Sequence, residues 1–184
     1  MPKKSHSGGR DEDRPFKKLT PQNWTDRDRT IDPIVRIDRG ETISNDEWAA
    51  RILEKELSDS VPREVRNLFE VAQGAICYGC FFYPLFTLGN EQLYRVLEAA
   101  VTAKCEAEGA PSSCKTYKRK TEWLYEQGHI SDDRIKRFEA ARLLRNMTSH
   151  AAKQMILPPN YAVSGVELTA ALIEGLFSGD NRPL

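Results

Sequence analysis

The sequence has no excess of charge of either sign, because its 27 Lys and Arg residues are balanced by 27 Asp and Glu residues. A uniformly basic nucleic-acid coat protein and a strongly acidic, disordered chain are both excluded. Long hydrophobic runs are also missing: the longest nearly apolar stretch, 74–88, has 15 residues and contains Gly, Cys and Pro. A membrane-spanning helix needs roughly 20 apolar residues, so we expect none.

Cysteine is scarce as well. Four cysteines in 184 residues do not make the dense disulfide framework of a small secreted domain. No apolar segment follows Lys3 and Lys4, as it would in a secretory signal peptide. We therefore expect a cytoplasmic protein that makes no contact with membranes.

Polar and charged residues dominate the beginning of the chain. Residues 1–43 are predicted to form a flexible or irregular arm, because the most polar part of them buries too little apolar surface to offset the entropy of ordering. From Ser44 onward, apolar residues recur with helical spacing. We predict an accessory helix within 44–60 and then an all-α bundle of four to five core helices over 61–178.

Turn-forming residues separate the helices that we expect in this bundle. Pro84 and the pair Gly89-Asn90 are predicted to break or bend the chain before the third of the helices that we expect from Ser44 onward. The expected core helices run from about 60 to the break at Pro84, from 90 to 108, from 117 to 127, from 132 to the residues before Leu157, and from 164 to 177.

Basic residues are concentrated in one segment, 115–153, which contains ten Lys and Arg but only five Asp and Glu. Lys118 and Arg119 lie at its beginning, next to Tyr117. A solvent-exposed helix face is the ordinary interpretation of such a run. Contact with the phosphates of RNA is the alternative, because it needs only Lys and Arg within reach.

The same segment contains Arg142-Leu-Leu-Arg145-Asn146-Met-Thr-Ser149-His150. Asn146 and His150 are four residues apart, so a helix places them on one face, with Arg142 and Ser149 on the same side. Arg145 is offset from His150 by about 140° at ~100° per residue, a gap that its long side chain can bridge. The pattern therefore predicts a cluster of basic and polar side chains.

Such a cluster suits the cleavage of RNA by its own 2′-hydroxyl group. His150 can exchange a proton near neutral pH, Arg145 can stabilise charge on the phosphate, and Asn146 can position substrate or the imidazole. This chemistry needs no metal and no cofactor, and we expect neither. The candidate substrate contacts are Lys118, Arg119, Arg142 and Ser149. The alternative is that Arg145 and His150 merely end a helix in solvent, where cations are favoured.

The motif resembles the signature of the HEPN superfamily, whose ribonuclease members carry Arg, a short spacer and then His, usually with a polar residue directly after the Arg. Arg145-Asn146-x-x-x-His150 fits this pattern. The order of the neighbouring features is also similar, over about 61–177: a helix with Arg95 and Glu98, the stretch Trp123–Ile130, the motif helix, a Pro-containing loop and a final helix.

The resemblance implies a HEPN-like bundle that acts as a homodimer and cleaves RNA without a metal. It also implies a role as a toxin or phage-defence effector, with an antitoxin or another protein as partner. Some relatives of this kind are inactive, which leaves open a catalytically silent module that binds RNA or a protein. Arg95 and Glu98 are expected to be structural, either as an ordinary pair on one helix or as buried partners that hold the motif helix.

Cys77 and Cys80 form a Cys-x-x-Cys sequence. A zinc site would need a second pair, but eight residues separate Cys105 from Cys114. A redox site would expect a preceding strand, whereas the flanking sequence is helical in pattern. We interpret the two residues as small core side chains one helical turn apart.

Overall fold

The structure, a computed structural model, describes residues 16–31, 44–149 and 157–178. Within these ranges the chain forms six α-helices and no β-strand, which confirms the all-α prediction. None of the helices found there combines the length and the hydrophobicity that crossing a bilayer requires. The helices are α1 (Asn45–Leu53), α2 (Arg63–Tyr78), α3 (Pro84–Ala107), α4 (Tyr117–Glu126), α5 (Asp132–Ser149) and α6 (Pro159–Phe177).

Polar side chains satisfy the free N–H groups at the beginning of two helices. The Ser44 hydroxyl accepts from the backbone N–H of Glu47, whose carboxylate accepts from the backbone N–H of Ser44, so α1 begins with a complete capping box. The Thr116 hydroxyl accepts from the backbone N–H of Arg119 at the beginning of α4. Both helix starts are fixed by residues within one turn of each other.

Two helices begin earlier in the sequence than we predicted, and each begins at a proline. α3 starts at Pro84 and continues through Gly89 and Asn90, so the predicted break at these two residues is wrong. α6 starts at Pro159 rather than near Ser164. In each case proline occupies the first turn, where its missing N–H would have no helical partner and its fixed φ suits a helix.

Gly89 allows close packing of α3 against α2. A Cβ atom at this position would collide with Cγ1 of Ile76 and would lie 3.2 Å from the backbone oxygen of Ala72. Only a residue without a side chain fits so close to a neighbouring helix. The glycine that we read as a break is therefore a packing position inside a continuous helix.

α3 is the central helix of the bundle, since α2, α4, α5 and α6 all contact it. Its inward face buries Leu93, Val96 and Leu97, and burial of such side chains is the main force that holds a helical bundle together. α1 joins the same core: the ring of Trp48 packs edge-on against Phe86, with 5.3 Å between the ring centroids. The central helix thereby fixes the positions of α4 and α5, which carry the candidate site.

Residues 16–31 belong to the expected flexible or irregular arm, and the structure places them against the corner between α2 and α3. Asp28 is 1% exposed, and its carboxylate accepts a 3.0 Å hydrogen bond from the backbone N–H of Tyr83. The rings of Phe16 and Phe82 also meet edge-on. This stretch is irregular but held by specific contacts. The other parts of the expected arm, 1–15 and 32–43, lie outside the described residues.

Candidate functional site

α5 carries the predicted motif. Its helical backbone includes Arg142, Arg145, Asn146 and Ser149. The side chains of Asn146 and Ser149, and the whole of His150, lie outside the described residues. The roles of these three residues stay predictions, and the described part of the motif consists of the two arginines.

Arg145 meets the central helix through a charged pair. Its Nη2 atom lies 3.7 Å from Oε2 of Glu98 on α3. Both side chains are about half exposed, at 50% for Arg145 and 46% for Glu98. Water therefore screens the pair, which contributes about 0–1 kcal/mol to stability. A contact this weak can be exchanged for a contact to a ligand.

Arg95 and Glu98, the two residues expected to be structural, lie in different environments. Arg95 is exposed on α3. The ion pair that the structure shows for Glu98 joins it to Arg145 on the motif helix. Of the two arrangements that the sequence left open, Glu98 does contact the motif helix, but from a half-exposed position rather than a buried one.

Arg142 is engaged by a carboxylate one turn earlier on its own helix. Its Nε donates to Oε2 of Glu139 at 3.0 Å, and its Nη2 donates to Oε1 at 2.6 Å. The two parallel bonds use the planar fork of the guanidinium. Hydrogen bonding to Arg142 lowers the pKa of Glu139, and the same bonds raise the pKa of Arg142. Both groups are therefore charged at neutral pH.

Both arginines line a small pocket, here called the arginine pocket, between α3, α4 and α5. Its other lining residues are Tyr94, Leu97, Glu98, Tyr117 and Ala141. The cavity volume is about 30 Å³, enough for one or two water molecules. Within a single chain, the arginine pocket can thus hold a small anionic group at its edge but not a whole nucleotide.

Tyr117 forms one wall of the arginine pocket. Its hydroxyl donates a long, 3.5 Å hydrogen bond to the backbone oxygen of Phe138. Burial raises the pKa of Tyr117, and the nearby carboxylates of Glu98 and Glu139 raise it further. The phenol is therefore neutral at physiological pH and serves this pocket as a hydrogen-bonding group, not as a base.

The two predicted substrate contacts on α4, Lys118 and Arg119, are both exposed. Lys118 and Arg119 both lie 3.6 Å from a carboxylate oxygen of Glu122. The charge of Lys118 also contributes to lowering the pKa of Glu139. Lys118 is 59% exposed and Arg119 is 73% exposed, and neither lines the arginine pocket. Both residues thus lie at the surface of α4, outside the arginine pocket.

Sequence reasoning missed two members of this site. Glu139 lies three residues before Arg142, a spacing that would have indicated an ion pair on one helix. Tyr117 stood out in the sequence only as an aromatic residue inside a basic run. Its place between Glu98 and Arg142 depends on how α3, α4 and α5 pack, and no local signal indicates it.

The Cys-x-x-Cys residues show no sign of thiol chemistry. The Sγ atom of Cys80 donates to the backbone oxygen of Cys77 at 3.2 Å. Burial raises the pKa of both thiols, to about 11 for Cys80, so the reactive thiolate form is rare at neutral pH. Across the described ranges, no three His, Cys, Asp or Glu side chains are grouped so that they could hold a metal ion.

Comparisons of the chain with protein-family models, with curated proteins and with solved structures found no match.

Proposed function

We propose that this protein is a metal-independent endoribonuclease of the HEPN type that acts as a homodimer. In the reaction, the 2′-hydroxyl oxygen of RNA attacks the adjacent phosphorus and the bond to the 5′-oxygen breaks. The products are a 2′,3′-cyclic phosphate and a 5′-hydroxyl end. His150 is the acid–base group, Arg145 stabilises the charge on the phosphate, and Asn146 positions the imidazole or the substrate.

The observation that carries the proposal is the shared position of Arg142 and Arg145 at the edge of one pocket. Lys118 adds a positive charge at the surface of α4 that acts on Glu139, the partner of Arg142. The carboxylate partners of both arginines are partly exposed, so a phosphate can replace them without leaving a buried charge unpaired. Arg142 and Lys118 then contact the substrate together with Ser149.

The homodimer follows from the shortage of groups in one chain. One histidine cannot both accept the 2′ proton and donate a proton to the leaving oxygen in a single step. A two-fold axis beside the motif supplies a second histidine and a second pair of arginines without any new sequence. The resemblance to the HEPN superfamily extends the proposal to a toxin or phage-defence effector, controlled by an antitoxin or another protein.

A catalytically silent module that binds RNA or a partner protein is the second candidate. The specific observation in its favour is that Glu98 and Glu139 already occupy the two arginines. The arginine pocket is also too small for a nucleotide. A module of this kind would dimerise and bind without cleaving.

The test is incubation of the purified protein with total RNA and with structured RNA in the presence of EDTA. Wild type is compared with His150→Ala and Arg145→Ala. Arg95→Ala is the matched control, because it removes an exposed arginine from the neighbouring helix α3. We expect cyclic-phosphate ends from wild type and Arg95→Ala, and a loss of at least 100-fold in both motif variants.

Either of two results would overturn the proposal that the protein is a nuclease. One is equal cleavage by wild type and by both motif variants, which would identify a contaminating activity or another site. The other is RNA binding by a folded dimer that never cleaves, which would leave the silent module as the function.

A further inference from the structure

An apolar groove adjoins the arginine pocket. α5 and α6 both lie on α3, and the space between them has a cavity volume of about 230 Å³. Its walls include Leu93 on α3, Leu144 on α5 and Leu168 on α6. The groove shares Tyr94, Leu97 and Ala141 with the arginine pocket. The two cavities are therefore neighbours along one surface, separated by the thickness of a side chain.

Small residues keep the apolar groove open. Ala140 and Ala141 line it from α5, and Gly165 lines it from α6. α6 lies so close to α3 at Gly165 that a Cβ atom there would be 2.6 Å from the Asn90 side-chain oxygen. The packing of three helices thus leaves a recess, not a filled core.

Large apolar side chains at the rim of the groove are exposed to solvent. Leu144, Leu168 and Tyr161 are 49%, 37% and 67% exposed. Exposed apolar residues that surround a recess mark a place where a ligand would bury surface. The volume is smaller than the roughly 300–1,000 Å³ of sites for drug-sized ligands. A recess of this volume suits a compact group about the size of one flat heterocycle.

The chemistry of the groove matches a nucleobase. Its walls are apolar and aromatic, while Asn90, Ser164 and Thr169 supply a few polar atoms. A base has apolar faces for stacking and a polar edge for hydrogen bonds. Arg142, Arg145 and Glu98 line the adjoining arginine pocket, and Arg137, whose Nε lies 3.4 Å from a carboxylate oxygen of Asp133, lines the groove. All three arginines are paired with partly exposed carboxylates, which the phosphates attached to an occupant can replace.

We infer that the apolar groove takes the unpaired base of a nucleotide whose neighbouring phosphate lies at Arg145. The inference rests on the proposed function, because it specifies the RNA that the arginines bind. An extruded base requires a single strand or a loop, since bases of a duplex are stacked and paired. The preferred substrate is thereby single-stranded RNA rather than a duplex.

The experiment measures binding of a fluorescein-labelled, single-stranded 2′-O-methyl oligonucleotide, which has no 2′-hydroxyl and cannot be cleaved. The same oligonucleotide with abasic positions and its duplex form are measured beside it. Ala140→Phe fills the groove from an exposed position and changes no charge. Leu143→Phe is the matched control, because Leu143 is also exposed on α5 but lines neither cavity. Tyr161→Ala removes the most exposed ring of the rim, and thermal melts check the folding of each variant.

Wild type and Leu143→Phe are expected to bind the intact single strand about 10-fold more tightly than the abasic strand or the duplex. Ala140→Phe is expected to lose this preference and bind all three at the weaker level, and Tyr161→Ala to lose part of it. Equal binding of intact and abasic strands by wild type overturns the inference. So does an Ala140→Phe variant that keeps the preference.

The result separates this inference from the proposed nuclease. Base-dependent binding by a protein that never cleaves RNA supports the inference that the groove binds a base, and it rejects only the catalytic proposal. Cleavage without base dependence rejects only the groove. If Ala140→Phe instead dissociates a dimer and has no effect on oligonucleotide binding, the groove belongs to a second copy of the chain and the inference is wrong.

Discussion

A carboxylate of Glu98 on α3 lies 3.7 Å from the guanidinium of Arg145 on α5. The two residues come from different helices, and their contact lies at the edge of the arginine pocket. Arg145 therefore already has an anion beside it where the proposed phosphate is to bind. Because both side chains are half exposed, the pair is a weak competitor for a ligand and contributes little to stability.

Substitution of Glu98 by Gln is expected to tighten RNA binding. The variant removes the negative charge beside Arg145 and keeps the shape of the side chain. We expect the dissociation constant for a non-cleavable oligonucleotide at low salt to fall about two- to five-fold, the size of one screened charge interaction. The control is Glu106→Gln, the same change at an exposed position of α3 away from the pocket. Unchanged or weaker binding would mean that Glu98 positions Arg145 instead of competing for it.

Substitution of Asp28 by Ala is expected to lower the free energy of unfolding by about 1–3 kcal/mol. The change removes the acceptor for the backbone N–H of Tyr83 and leaves that buried group without its partner. Asp28→Asn retains one acceptor oxygen and should lose less. Denaturant unfolding measures the effect, with Asp26→Ala on the exposed part of the same stretch as control. Equal stability of the Asp28 and Asp26 variants would show that residues 16–31 do not support the bundle.

Two glycine-to-alanine substitutions are expected to have opposite effects. At Gly89 the new methyl group would collide with Ile76 of α2, so we expect a loss of about 1–3 kcal/mol. At Gly74, on α2, no atom beyond the adjoining residues and the local helix backbone lies within 4 Å of the new methyl group. There we expect a gain of about 0.5–1 kcal/mol from better helix propensity. Thermal or denaturant melts compare the pair, and a stabilised Gly89→Ala variant would contradict the close approach of α2 and α3.

Stability is expected to fall in alkaline solution because of the buried thiols. Burial raises the pKa of Cys80 and of Cys105 from 9.0 to about 11. In the folded protein these thiols keep their protons above pH 9, where the unfolded chain loses them. Their contribution is complete below about pH 9 and disappears as the pH rises through about 11. Between pH 8 and pH 11, the free energy of unfolding should therefore fall less steeply with rising pH for Cys80→Ala than for wild type. Parallel curves would refute this role of Cys80.

Local patterns predicted the helices well and the interruptions poorly. The start of α1 was predictable because Ser44 and Glu47 bond to each other within one turn. The course of α3 was not, because Gly89 reads as a break until Ile76 of α2 is known to lie against it. In a sequence, a glycine that ends a helix looks the same as a glycine that allows a neighbouring helix to pack closely. That choice belongs to the packing of two helices.

The candidate site divides in the same way. The pair between Glu139 and Arg142 lies within one turn of α5, so the sequence alone determines that these residues meet. The sequence likewise determined the all-α class and the succession of arginines on α5. Only the tertiary structure decided that Glu98 lies beside Arg145, that Tyr117 closes their pocket and that an apolar groove adjoins it. The physical reason is distance along the chain: helical spacing fixes contacts within a turn, whereas contacts between helices depend on how a whole core of side chains packs.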